Sequence, residues 1–183
     1  MCSVEVKDSL IAGRGVFAKY DIAAHTICCY YDGHKVSRVQ HKDFDPYALT
    51  VGDDVIYGFT QPRHPIGVGQ LMNDVYMPRF RLYMTESEFM QSAIEYYQTS
   101  VLKSNVNTIG KKVVTIKPIK AGDELLFSYG LKYWLSHFVD EIMKSTSGLK
   151  EYIDDKEAPI NLDFEKIIEC LNNYGRWLKQ VYK

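Results

Sequence analysis

Between residues 3 and 57 the apolar positions come in short runs rich in β-branched and aromatic side chains. Thr26-Ile27-Cys28-Cys29-Tyr30-Tyr31 and Asp54-Val55-Ile56-Tyr57 are two of them, and Gly13, Gly15, Gly33, Gly52 and Gly58 punctuate the stretch. Short runs bounded by glycine predict strands joined by tight turns. Residues 61–69 carry too much Pro and Gly for regular structure and read as an ordered loop. The period then changes. Thr85-Glu86-Ser87-Glu88 fits a capping box, and Phe89, Ala93, Tyr96 or Tyr97, and Val101 recur at helical spacing, which predicts a helix over residues 86–102. Strand character returns at residues 112–116 and 124–129, with turn chemistry between them. Beyond Gly130 the residues Tyr133, Trp134, Phe138, Ile142 and Met143 fall largely on one helical face. A hinge over residues 145–159 and a last helix over 162–182 follow. In that helix Phe164, Ile167, Ile168, Leu171, Tyr174, Leu178 and Val181 form an apolar stripe. Packing against its own domain is the simpler use of the stripe; a dimer or partner surface is the alternative.

Composition narrows the picture. A chain of 183 residues with 46% hydrophobic content supports one sizeable core plus an appendage. A formal net charge of -1 supplies no global drive toward nucleic acid or an anionic membrane, so neither is an expected partner. Cys2, Cys28, Cys29 and Cys170 form no C-x-x-C pair and stand near no histidine at ligand spacing. No metal site is therefore expected, and free thiols in a reducing compartment are. The first residues are charged where a signal peptide needs an apolar run, and no stretch approaches ~18 uninterrupted apolar residues. A soluble, intracellular protein is the expectation.

Four segments carry candidate chemistry. In Ala12-Gly13-Arg14-Gly15-Val16-Phe17-Ala18 two glycines flank one residue, so the backbone can bend sharply and approach a ligand closely. No helix-forming pattern follows them, which argues against a dinucleotide enzyme. The others are Gly69-Gln70-Leu71-Met72-Asn73-Asp74, Ser104-Asn105-Val106-Asn107, and the run from Ile119-Lys120-Ala121-Gly122-Asp123-Glu124-Leu125 to Ser128-Tyr129-Gly130. Taken in order over roughly residues 1–135, these resemble the signatures of the SET-domain methyltransferases. The Gly-x-Gly segment is similar to their N-terminal signature, Asn73-Asp74 stands where they carry Asn-His, and the strand ending in Tyr-Gly is similar to their C-terminal signature.

The resemblance implies a mainly β fold with helical additions (α+β): small curved β-sheets, a pseudo-knotted C-terminal segment and C-terminal helices. It implies a SET domain over 1–135 with a helical insertion at about 76–103, and a helical extension over 136–183. It further implies S-adenosylmethionine as cofactor, cradled by Ala12, Gly13, Arg14, Asn73 and Asp74. Trp134 either covers the cofactor or walls the lysine channel, unless it simply packs the following helix. Tyr129 stands beside the transferring methyl, and Tyr31 is a second pocket tyrosine, by its similarity to a strand-turn of the family. The implied reaction is methyl transfer to the side-chain amine of lysine in a protein, a histone tail or another lysine-containing peptide. Chromatin regulation and a nuclear rather than cytoplasmic location accompany it, and the terminal helices could pair two copies.

Tyrosines suit that chemistry. A lysine of pKa ~10.4 is uncharged in only roughly one of a few thousand molecules at neutral pH. Burial between aromatic walls and a neighbouring sulfonium both push that pKa down. The sequence departs from the family pattern at Asp74, which replaces a ring that can donate with a carboxylate that accepts. It departs again after Gly130, where no cysteine cluster provides a zinc-bound closing element. A SET-like interaction module without turnover is the alternative that these departures allow.

Overall fold

The computed structural model describes residues 3–37, 44–81 and 85–145. The chain divides into two compact units, one of Met1–Val75 with Lys103–Ser128, the other of Tyr76–Leu102 with the chain from Tyr129 onward. The hinge and the helix expected over 162–182, with any dimer surface on it, lie outside the described residues.

The first unit is built from three small antiparallel sheets. Strands β1 (Val4–Asp8) and β2 (Arg14–Ala18) form a hairpin with Val4 opposite Ala18 and Asp8 opposite Arg14. Strands β3 (Ile27–Tyr30), β7 (Val106–Ile109) and β8 (Lys112–Thr115) form a sheet of order β3-β8-β7, and β4 (Gly33–Ser37), β5 (Ala48–Val51) and β6 (Asp54–Gly58) one of order β4-β6-β5. Val4, Val16, Ala18, Cys28, Cys29 and Val113 of these strands meet in one apolar core with Leu125, alternating along β1 and β2, while the irregularity in β3 turns both Cys28 and Cys29 inward. Cys28 and Cys29 are both buried thiols outside any disulfide, and the Cys28 thiol donates to the Val113 carbonyl at 3.4 Å.

Residues 124–129, expected as a strand, do not make a ladder. Phe17 bridges Glu124 antiparallel and Asn73 bridges Leu126 in parallel. Leu125 N–H donates to the Val16 carbonyl, Phe127 N–H to that of Asn73, and Asn105 N–H to that of Leu126. The segment thus satisfies its backbone on three separate parts of the chain, which excludes a regular pairing with any one of them. The loop expected over 61–69 is irregular up to Val68 and closes in a 3-10 turn, Gly69–Leu71.

In the second unit the capping box forms as the sequence predicts. Glu88 N–H donates to Thr85 Oγ1 at 3.3 Å and Thr85 N–H donates to Glu88 Oε2 at 2.9 Å. The Thr85 N–H, together with the Thr85 hydroxyl that also donates to Glu88 Oε2 at 2.9 Å, holds the Glu88 carboxyl below its ordinary value. Helix α1 (Glu86–Tyr96) follows and continues as a π turn over Tyr97–Val101. The sequence period allowed either Tyr96 or Tyr97 on the buried face. The wider turn buries both, with Phe89, Ala93 and Leu131. Helix α2 spans Leu131–Ser145. No helix among the described residues is long and apolar enough to cross a membrane.

Candidate functional site

The turn between β1 and β2 bends at Gly13, where φ is +46° and only glycine is unstrained. Ser9 N–H donates across the turn to the Gly13 carbonyl at 2.8 Å, and Ile11 N–H donates to Ser9 Oγ at 3.0 Å. Ala12, Gly13 and Arg14 remain exposed.

Asn73, 8% exposed, reaches this turn. Its Nδ2 donates to the carbonyls of Ala12 at 3.1 Å and Arg14 at 3.2 Å, and to Glu124 Oε1 at 2.8 Å. All three partners are acceptors, which fixes the orientation of the amide, and two hydrogens serving three acceptors means one is shared. The amide oxygen is left on the acceptor side. Glu124 Oε2 accepts from Ser9 Oγ at 2.9 Å. Behind it, Asn105 Nδ2 donates to the Glu124 carbonyl and Asn105 Oδ1 accepts from Leu126 N–H, both at 2.7 Å. Asp74 follows Asn73 and is buried at 4%.

The two glycines of the turn have different jobs. Gly13 bends the chain into open space. At Gly15 a Cβ would lie 2.1 Å from Glu124 Oε1 and 3.1 Å from Ser9 Cβ. The missing side chain at Gly15 makes room for a carboxylate, where the sequence suggested close approach to a ligand.

Tyr31 is buried at 7%, and its hydroxyl donates to the Tyr47 carbonyl at 2.5 Å. Nearby in the same unit Gln70 holds two loops together, accepting from Asp32 N–H and donating to the carbonyls of Phe59 and Gly67, each at 3.0 Å. Arg14 donates to the Thr60 carbonyl.

Tyr129 and Trp134 belong to the second unit. Their rings stack at 5.6 Å and 24°, and Tyr133 meets Tyr129 edge-on at 4.6 Å and Trp134 at 5.1 Å. His137 lies 5.8 Å from the Trp134 ring. These rings are half-buried. Such offset and edge-on pairs fix ring orientation and present π faces that accept cations.

The SET-domain pattern matches residues 13–130, more than half of the chain. The chain belongs to the SET-domain family. Members of that family are typically protein-lysine methyltransferases and generally use S-adenosylmethionine. Gly13, Arg14, Tyr31, Asn73, Asp74 and Tyr129 fall inside the matched span; Ala12 and Trp134 fall just outside it. Among solved structures, a Plasmodium falciparum protein named as a candidate histone methyltransferase is similar at 17% identity, with a TM-score of 0.43 over 73% of this chain and 98% of that one. No curated protein matches the sequence.

Of the residues singled out from the sequence, Ala12, Arg14 and Asn73 are directly bonded. Glu124 and Asn105 lay within segments singled out from the sequence but were given no individual role, and Ser9 was not singled out; all three complete the network. Glu124 directly ahead of the apolar run Leu125-Leu126-Phe127 was the available signal, since a carboxylate beside core residues needs a partner. For Ser9 no such signal exists. Among the described residues no group of three His, Cys, Asp or Glu could hold a metal ion.

Proposed function

We propose that this SET-domain protein is an S-adenosylmethionine-dependent methyltransferase acting on a lysine side chain, with a histone tail as substrate and the nucleus as its place of work. The observation that carries the proposal is the joining of Asn73 to the Ala12 and Arg14 carbonyls, which unites two motif segments 61 and 59 residues apart. An exposed, bent backbone beside an amide whose oxygen meets no donor among the described residues fits a ligand that both donates and accepts, as the methyl donor does. Ala12, Gly13, Arg14, Asn73 and Asp74 would hold that donor. When bound, it supplies an electrophilic methyl group on a positively charged sulfur.

The chain's own contribution is to deliver an uncharged amine. Tyr129 acts through its hydroxyl, which orients the lysine nitrogen, while the rings of Tyr133 and Trp134 keep the phenol in place. Tyr31 takes the part of the second tyrosine, and Trp134 that of a cover for the donor or a wall for the lysine. Aromatic walls exclude water and disfavour the ammonium form. The working unit is residues 1–135, with the insertion at 76–103 and the extension over 136–183 available for substrate choice or pairing of two copies.

Transfer from labelled S-adenosylmethionine to a histone panel tests this. The native chain should transfer label, and Tyr129→Phe should lose on the order of 100-fold in rate. Equal rates for the two chains overturn the role of Tyr129. Absence of S-adenosylhomocysteine binding by calorimetry overturns the activity and leaves an interaction module.

A further inference from the structure

Helix α1 and its π turn lie in the inserted stretch and contain none of the motif residues. They nevertheless reach the residue that follows Tyr129. Gly130 N–H donates to the Tyr96 hydroxyl at 2.7 Å, and Tyr96 is 0% exposed. The Gly130 N–H and the Tyr129 carbonyl lie in one rigid peptide plane. A bond that aims that N–H therefore also fixes the rotation on the C-terminal side of Tyr129.

The bond sits at a joint. Gly130 has φ +90°, a left-handed conformation that suits glycine, and its carbonyl accepts from Trp134 N–H at 3.4 Å as α2 begins. The ring of Tyr129 is held by Trp134 and Tyr133, and its backbone by Tyr96. The inward position of Tyr96 beside an equally inward Tyr97 comes with the π turn. Such one-residue insertions cost helical regularity and are frequent at functional sites. Tyr96 and Tyr97 themselves meet edge-on at 5.6 Å.

We infer that Tyr96 is a positioning residue for Tyr129, setting the direction of the catalytic phenol from the inserted helix through the Gly130 amide. The inference rests on Tyr129 acting at the chemical step. It gives the insertion a part in the reaction without contact with donor or substrate. Small displacements of a reacting group weigh heavily on rate, because transfer needs a near-linear approach.

Tyr96→Phe in the full chain keeps the ring and removes the acceptor. The expected result is a fall in kcat on the order of ten-fold, with KM for S-adenosylmethionine unchanged. Amide exchange at Gly130 should speed up on the order of ten-fold. Tyr97→Phe, which trims a neighbouring buried phenol, should leave kcat unchanged. Equal kcat for Tyr96→Phe and an active native chain overturns this inference alone. So does a parallel loss in Tyr97→Phe, or a fall in donor affinity that tracks the fall in kcat, because either marks general damage to the core. A native chain without transfer activity overturns the proposed function and this inference together.

Discussion

Around Asn73 the contacts are directional: one amide nitrogen serves two carbonyls and a carboxylate, and the carboxylate accepts from Ser9 in turn. Around Tyr129 they are ring against ring, with Trp134 stacked and Tyr133 edge-on. A directional network depends on which atom is donor and which acceptor, so an isosteric change can reverse it. A packed aromatic cluster depends on shape and area, so a change that keeps a ring is absorbed. The turn site is accordingly intolerant of small chemical edits, and the tyrosine site of changes that remove a ring.

Asn73→Asp gives the largest expected effect. It replaces a donor with an acceptor facing the Glu124 carboxylate and should cost about 3 kcal/mol of stability. Binding of S-adenosylhomocysteine should be lost with it. Trp134→Phe, a larger change in mass, should cost only about 1 kcal/mol. Urea unfolding of the two variants, with calorimetry on each, measures the contrast, and similar losses would erase the distinction between the regions.

Gly15→Ala comes next. The added Cβ displaces a carboxylate that Asn73 and Ser9 hold, at a cost of about 2 kcal/mol. In combination with Glu124→Ala the penalty should shrink well below the sum of the single losses, because the clash and its victim are removed together. Strict additivity in that double-mutant cycle would mean that Gly15 is needed for another reason.

The smallest effect belongs to the second unit and to alkaline pH. Burial pushes the Tyr97 phenol up to about 12 from the ordinary value of 10. In that window the unfolded chain has released this proton and the folded chain has kept it. Tyr97 therefore adds stability that is fully present below pH 10 and is lost as pH rises through about 12. Denaturation midpoints measured across that range should fall less steeply for Tyr97→Phe than for the native chain. Parallel slopes would show that the phenol is not withdrawn from water in the folded state.

Local rules were legible where one stretch of chain suffices. The capping box at Thr85 and Glu88, the hairpin around Gly13, and strands such as β6 and β8 follow from residue type and period. Residues 124–129 have the composition of a strand, yet their partners lie at Val16, Phe17, Asn73 and Asn105, and only the threading of the chain brings those together. The choice between Tyr96 and Tyr97 could not be read from a helical period, because the π turn changes that period at the point where the choice arises.

By itself, then, the sequence determined the family and those elements that rest on local rules, such as the capped start of α1 and the short strands. Motif order and short-range periodicity act through neighbours along the chain and need no knowledge of what lies across the fold. Only the tertiary structure decided that Gly15 yields space to Glu124, that Asn73 binds the turn through its nitrogen, and that Tyr96 holds the Gly130 amide. Each of those is a contact between residues 34 or more positions apart. Hydrogen bonds and steric contacts reach only a few ångströms, so such pairings exist only once the chain has closed on itself.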